Sequence, residues 1–367
     1  MLNDLLLRDF RCFKECRVAL HEETTLFIGR NAQGKTSLME AACVLLRLQS
    51  PRTGNRSELI RLGAGNFLIE GTQDGRRLRC AQSSSTRRLA LDGTVCGRSA
   101  DYLAGSGLVV WMDHRDMNLL RGSGEHRRRH LDFVASQLFP DYLKALRGYE
   151  RALRGRNHVL KRDAVIAWRQ ADAFARVMNE FAQVLRRRRQ ELAAAMQPHV
   201  SAVHHDLSGG AEQAELRYQP GFEAGDLTEE LAARRDEESR TRQTIAGPHR
   251  DDLQITLNSL DASTYASEGQ QRSVALAMKA AQARVLEEAS GRAPLLLLDD
   301  IFGELDAQRR RALLRLLPQG TQKIITTTTL DWASGDLPCG LVYHVESAGL
   351  RADGRESQAA PGFRAGL

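Results

Sequence analysis

An α/β fold with a parallel-stranded core, a flanking antiparallel sheet and an inserted lobe of long helices is predicted by three stretches of this 367-residue sequence. Thr25 to Met39, TLFIGRNAQGKTSLM, places an apolar run before a glycine-containing loop and a helix-forming run after it. Ala293 to Asp300, APLLLLDD, is a continuous apolar run ending in two carboxylates, the pattern of a strand buried on both faces. Between them, from Asp141 to about Pro198, few breakers interrupt apolar residues at three-four spacing, so long helices separate two halves of a core.

Taken in order, Leu2 to Leu7, Val18 to Leu20 and Leu26 to Ile28 predict three short strands. Arg8 and Arg11 follow the first, where they can approach a nucleotide or remain surface charges. Gly29-x-x-x-x-Gly34-Lys35-Thr36 then fills every fixed position of the P-loop pattern, followed by a helix over Ser37 to Leu48. Phosphate oxygens need several backbone N–H groups at close range, so the loop must bend without Cβ obstruction, and the helix N-terminus faces the anion. Gly29, Arg30, Asn31, Ala32, Gln33, Gly34, Lys35, Thr36 and Ser37 are accordingly the candidate ATP cradle. Lys35 supplies a point charge between the β- and γ-phosphates, and the Thr36 hydroxyl is the expected Mg²⁺ ligand.

From Leu62 to Leu91, runs at Asn66 to Gly71, Arg77 to Cys80 and Arg87 to Leu91 are punctuated by Asp74-Gly75 and Asp92-Gly93, hairpin signals that predict the antiparallel sheet. A buried strand is expected at Leu108 to Trp111. Arg127, Arg128 and Arg129 are consecutive and cannot share a helix face, so at least one turns to an acid such as Asp132 or to nucleic acid. The helical stretch carries Arg147, Arg151, Arg154, Arg156, Lys161, Arg162 and the run Arg186 to Arg189. Such residues form either a solvated face or a DNA contact. Pro198, Gly209-Gly210 and Pro220-Gly221 are expected to break the helices, with Asp226 to Arg242 a helix-prone connection.

The acids of the second apolar run are the Walker B pair: Asp299 holds Mg²⁺ through water, and Asp300 stands where an attacking water is polarised. Shortly before it, Tyr265-Ala-Ser267-Glu268-Gly269-Gln270-Gln271 precedes a helix over Arg272 to Glu288, with Ser267 as its N-cap and Gly269 giving close access to the helix tip. A P-loop, then a serine motif, then Walker B is the layout of an ATP-binding cassette. That resemblance implies that Ser267, Gly269 and Gln270 of one copy cover the γ-phosphate held by another copy's P-loop.

Composition narrows the class. A hydrophobic content of 42% with 27% charged residues fits a globular protein, and the longest apolar run, Leu295 to Leu298, is too short to cross a bilayer, so no membrane partner is expected. MLNDLLLRDF has no basic n-region or cleavage pattern, which places the protein in the cytoplasm. The six cysteines lack zinc-finger spacing and are expected to be reduced thiols. A net charge of +6 leans toward a polyanionic partner.

With these pieces in place the chain resembles the RecF family, bacterial recombination-repair ATPases related to SMC proteins, from the first strand to about residue 345. Gly247-Pro248-His249-Arg250-Asp251-Asp252-Leu253, the run Leu297 to Asp300 with Glu304-Leu305-Asp306, and Tyr149 to Leu160 with Arg156-Asn157 are similar to family stretches. Two departures stand out: His114-Arg115-Asp116-Met117 where the family commonly has Pro-Glu-Asp-Leu, and Gly303 where a serine is usual. No clear switch histidine follows Walker B, and Thr327 or Thr328 is placed to take that role.

The resemblance implies an ABC-type P-loop ATPase head that binds ATP and Mg²⁺ and dimerises on ATP. It also implies action at single-strand/double-strand DNA junctions with RecO and RecR to promote RecA loading in gap repair and the SOS response, with slow hydrolysis. The competing class is the ATPase subunit of a transporter. The expected organisation is an ATPase core from residues 1–115 and 241–345, an inserted helical arm at 116–240 and a flexible tail at 346–367.

Overall fold

The computed structural model describes residues 1–223, 225–305, 307–318, 320–329 and 340–353. They form two compact units, Met1–His114 with Arg292–Leu367, and Arg115–Gly291. In chain order, the first unit opens with β1 (Asp4–Phe10), β2 (Phe13–Ala19) and β3 (Thr24–Ile28), then α1 (Lys35–Arg47). Next come β4 (Asn66–Gln73), β5 (Arg76–Ser83), β6 (Arg87–Leu91), β7 (Thr94–Val95), α2 (Ser99–Ala104) and β8 (Val109–Met112). The second unit runs through α3 (Asn118–Arg121), α4 (Gly124–Leu138), α5 (Tyr142–Arg162), α6 (Trp168–Leu207), β9 (Ala214–Gln219), α7 (Leu227–Ala233) and α8 (Arg235–Thr241). It ends with β10 (Asp252–Leu257), β11 (Leu260–Asp261), α9 (Ala262–Tyr265) and α10 (Glu268–Ser290). The chain returns to the first unit as β12 (Leu295–Asp299), α11 (Ala307–Leu316), β13 (Lys323–Thr327), β14 (Leu341–Glu346) and β15 (Gly349–Ala352).

Two sheets build the first unit. The antiparallel sheet has the order β2-β1-β4-β5-β6-β7, and its turns at Asp74-Gly75 and Asp92-Gly93 hold both residues at positive φ, as two-residue hairpins of this twist require. The other sheet has the order β15-β14-β3-β13-β12-β8, parallel from β14 to β8. Because that sheet is covered on both faces, β3 and β12 are buried at every position. Helix α1 lies between the two sheets, touching β1, β4 and β5 on one side and β8, β12 and β13 on the other. It is therefore buried nearly all round, from Leu38 to Leu46.

In the second unit α5 and α6 pack as a pair, and Gly148 and Gly155 on α5 make room for Phe181 and Phe174: a Cβ at either glycine would lie 2.5 Å from a ring. Helix α6 also packs on α10, α7 and β9, and β9 pairs with β10 in a three-stranded sheet of order β11-β10-β9. The GPHRDDL stretch is the polar hub here. Gly247, at φ 127°, leaves room for the Tyr149 hydroxyl, which meets His249 Nδ1 at 2.7 Å. Asp251, fully buried, accepts from Arg189 at 2.6 Å and from the Gly221 N–H at 2.7 Å. Arg127 and Asp252 form a two-point pair at 2.6 and 2.8 Å.

Several expectations need correction. Pro198 does not break a helix: α6 continues to Leu207 and ends at Gly209-Gly210, both at positive φ. The carbonyl that Pro198 deprives of a donor belongs to Ala194, and both residues are exposed, so water replaces the lost bond at low cost. Of the Arg127–Arg129 run, none takes Asp132: Arg127 takes Asp252, Arg128 the Asp251 carbonyl and Arg129 Glu125. Residues 241–291, expected with the ATPase core, cluster with the helical unit because α10 packs along α6. The expected tail begins as structure, since β15 pairs with β14, and its remainder from 354 lies outside the described residues.

Candidate functional site

The loop from Gly29 to Gly34 joins the carboxyl end of β3 to the start of α1, and two of its glycines are geometrically required. A Cβ on Gly29 would lie 2.3 Å from the Val345 carbonyl oxygen on β14, and Gly34, at φ 111°, would press one into the Phe13 ring at 2.8 Å. Ala32 also sits at positive φ. Among the described residues no side chain caps α1, so its leading N–H groups point out of the helix, which suits an anion. On its far side the loop is braced by the β14–β15 turn. The Ser347 N–H donates to Gln33 Oε1 at 2.6 Å and the Ala348 N–H to the Gln33 carbonyl at 3.2 Å. Arg30, Asn31 and Ala32 present exposed side chains.

Lys35 Nζ donates to the carbonyls of Gly29 at 2.5 Å and Arg30 at 2.9 Å. Burial lowers its pKa, and Asp300 and Asp299 pull it back up. The Walker B strand β12 is separated from β3 by β13 alone, in a register that sets Asp299 beside Thr326 and Thr326 beside Phe27. That alignment brings two hydroxyls to one carboxylate oxygen: Thr36 Oγ1 donates to Asp299 Oδ1 at 2.9 Å, and Thr326 Oγ1 to the same atom at 2.6 Å. Burial pushes the Asp299 carboxyl up, and the two hydroxyl donors offset part of the rise. Asp300 follows at φ 53°, its N–H donating to Thr326 Oγ1 at 3.1 Å.

These groups line one wall of a cavity of about 770 Å³ that also takes in Asn31 to Ser37. The site lies at the carboxyl ends of parallel strands, where ligands of open α/β sheets bind. Its lining also includes Arg11, Cys12, Arg52 and His114. Of the two arginines singled out near the first strand, Arg11 reaches the cavity, whereas Arg8 pairs with Glu15.

The residue that orients Arg11 and Arg52 is absent from the site expected on sequence grounds. Glu40, on α1 and fully buried, receives Arg11 Nε at 2.8 Å and a terminal Arg11 nitrogen at 2.7 Å, Arg52 at 3.2 Å and the Ser50 hydroxyl at 2.6 Å. A glutamate in the middle of a buried P-loop helix was the available signal, because a buried carboxylate requires cationic partners. Thr326 was also missed. It is this residue that bonds the Walker B acid, while Thr327 Oγ1 donates to the Thr329 carbonyl. Asp306 of the distal signature lies outside the described residues.

The serine motif belongs to the second unit and folds as expected. Ser267 caps α10 in a capping box: its Oγ accepts from the Gln270 N–H at 3.3 Å, and Gln270 Oε1 accepts from the Ser267 N–H at 2.7 Å. Ser267 is exposed. The Gln270 amide is engaged within the unit, since its Nε2 also donates to Glu212 at 2.7 Å.

The oxygen donors on Thr36 and Asp299 fit a hard divalent cation such as Mg²⁺. Among the described residues no group of three or more His, Cys, Asp or Glu could hold a metal ion. No described helix is long and apolar enough to cross a membrane.

Comparison with known proteins agrees with this geometry. The AAA ATPase domain family matches residues 1–70. The chain is 38% identical over 345 residues to the DNA replication and repair protein RecF of Thermosynechococcus vestitus, covering 90% of this chain and 91% of that protein. It is 32% identical over 369 residues to RecF of Geobacillus thermodenitrificans, covering 96% and 99%. A solved structure of the recombination mediator protein RecF with ATP, in the RecFOR pathway, matches with a TM-score of 0.84 at 25% identity, covering 96% of this chain and 97% of that one. An Smc head domain from Pyrococcus furiosus, at a TM-score of 0.54 and 16% identity, shares the fold. A full-length match above 30% identity, with the P-loop, Walker B and serine motifs in place, shows that the chain belongs to the RecF family of ABC-type P-loop ATPases.

Proposed function

We propose that this protein is an ATP-gated DNA-binding ATPase of recombinational repair. In this reading the Gly29–Ser37 loop holds the triphosphate, Lys35 bridges its β- and γ-oxygens, Thr36 and Asp299 hold Mg²⁺, and Asp300 polarises the attacking water. The observation that carries it is the convergence of the Thr36 hydroxyl and the Asp299 carboxylate beside Lys35 in one cavity. Mg²⁺ supplies charge neutralisation when bound; the chain's own contribution is to fix these oxygens and the lysine before the ligand arrives.

The exposed Ser267 tip supports a gate built from two copies, in which one copy's serine turn closes over the triphosphate in its twin. Hydrolysis is then slow in the monomer, because the site is incomplete without the second copy. In this reading the protein acts in the cytoplasm at single-strand/double-strand gaps, with RecO and RecR, to load RecA during the SOS response; the family's name and the RecFOR context of its solved members support the repair role. Family membership removes the support for a transporter subunit.

Sedimentation of the protein with and without ATP and Mg²⁺ tests the gate. Wild type is expected to shift from monomer to dimer, and Lys35→Ala to remain monomeric, because phosphate charge at the joint then lacks its counter-ion. An unchanged wild-type sedimentation rate in ATP would remove the reading.

A further inference from the structure

Helix α5 divides its side chains cleanly. Tyr142, Ala145, Tyr149, Ala152, Arg156 and Val159 are buried, at three-four spacing. Lys144, Arg147, Arg151, Arg154, His158 and Lys161 repeat the same spacing on the other side, and all six are exposed. At 3.6 residues per turn they fall within an arc of roughly 100° that runs along the helix for about 25 Å. Glu150 is the one acid in this helix, at the edge of the arc beside Arg147 and Arg154. Among the described residues Lys144, Arg151, Arg154 and Lys161 take part in no ion pair.

A one-sign stripe of this regularity is not what helix stability asks for. Exposed helices gain from alternating charges four residues apart, and like charges at that spacing repel. The ligand that relieves the repulsion must carry negative charge at regular intervals over a comparable length. A nucleic-acid backbone does so, with one phosphate about every 3.4 Å of axis per strand. The stripe also lacks aromatic side chains: both tyrosines of the helix are buried in the opposite face. Single strands are held by bases stacked on aromatic rings, whereas duplex phosphates need charge alone.

Resting on the DNA-binding reading above, we infer that the exposed face of α5 is a sequence-independent track for the phosphates of duplex DNA. None of these six residues belongs to the serine turn, the P-loop or the Walker B strand.

The test is a salt titration of binding to a labelled blunt duplex of mixed sequence, with ATP and Mg²⁺ present, comparing wild type with the triple variant Lys144→Gln, Arg151→Gln and Arg154→Gln. Each lost phosphate contact flattens the plot of log affinity against log salt by about 0.9, so the triple variant is expected to lose about 2.7 from the slope. With the curves meeting near 1 M salt, that is about five-hundredfold weaker binding at about 0.1 M. Binding to oligo-dT is expected to be unchanged, as are the thermal midpoint and ATP-dependent dimerisation. The control replaces Arg98, Arg129 and Arg187 with glutamine, removing as many charges from arginines that pair with Asp101, Glu125 and Asp141. An equal loss in the control, an equal loss on oligo-dT, or an unchanged slope in the triple variant each overturns the inference while the DNA-binding reading stands. A wild type that binds no duplex at all overturns both.

Discussion

The two basic stretches of the long helices look alike in the sequence and behave oppositely in the structure. On α6, Arg186 to Arg189 are consecutive and so fan around the helix, and each finds a partner within the fold. Arg186 lies over the Phe222 ring and donates to the Phe222 carbonyl, Arg187 lies near Asp141 and Glu191, and Arg188 covers Phe139 and bonds Asp141. Arg189 is buried between Asp132 and Asp251. On α5 the basic residues are spaced by three and four, which keeps them on one face, and only Arg156, off that spacing, turns inward to Glu238. A consecutive run therefore spreads its arginines from the surface to the buried Arg189, whereas three-four spacing keeps basic residues together on one exposed face.

The sharpest way to break this comparison is Arg189→Ala. The guanidinium is fully buried and bonds Asp132, Asp251, the Pro248 carbonyl and the Tyr142 hydroxyl. Removing it leaves the buried Asp251 and the part-exposed Asp132 without their cation, so urea unfolding is expected to show a loss of about 3–5 kcal/mol. A loss below about 1 kcal/mol, the size of a surface pair, would put Arg189 in the same class as the α5 stripe.

The same hub makes stability depend on pH. His249 is held neutral: burial pushes its pKa down to about 4 from an ordinary 6.5, and Arg250, Arg128 and Arg156 nearby also disfavour the cation. Between these two values the unfolded chain binds the proton and the folded chain does not, so stability from this group falls as pH drops from 6.5 to 4 and is constant outside that window. The full change is on the order of 3 kcal/mol. His249→Gln is expected to flatten the dependence of Tm on pH across that interval. A profile as steep as wild type would assign the acid sensitivity to other groups.

How far the sequence reveals these features follows from the distance over which each is determined. The P-loop, Walker B strand and serine cap are set by residues within one turn or loop, and each folds where its spacing placed it. Partners of polar residues are not local: Glu40 waits for Arg11 and Arg52, and Arg189 for Asp251, and nothing in linear spacing selects among the many acids and arginines. The threonine facing Asp299 was not legible for another reason. In a strand covered on both faces Thr326 and Thr327 are equally buried, so alternation gives no register, and only the pairing of β12 with β13 picks Thr326. Pro198 misled because a breaker is costly only where its orphaned carbonyl is dry.

The smallest expected effect separates paired surface arginines from the stripe. Arg187, though part of the consecutive run, is exposed, and its contacts to Asp141 and Glu191 are 3.7 and 3.9 Å, at the limit of an ion pair. Arg187→Ala is expected to cost less than about 0.5 kcal/mol, since solvent screens such pairs and Arg188 still neutralises Asp141. Arg188→Ala should cost more than Arg187→Ala, because it also uncovers the Phe139 ring, which the guanidinium covers at 4.7 Å. If urea midpoints rank the two in the opposite order, a consecutive run cannot be sorted by burial alone, and charge density on α6 would have to be weighed beside each residue's own contacts.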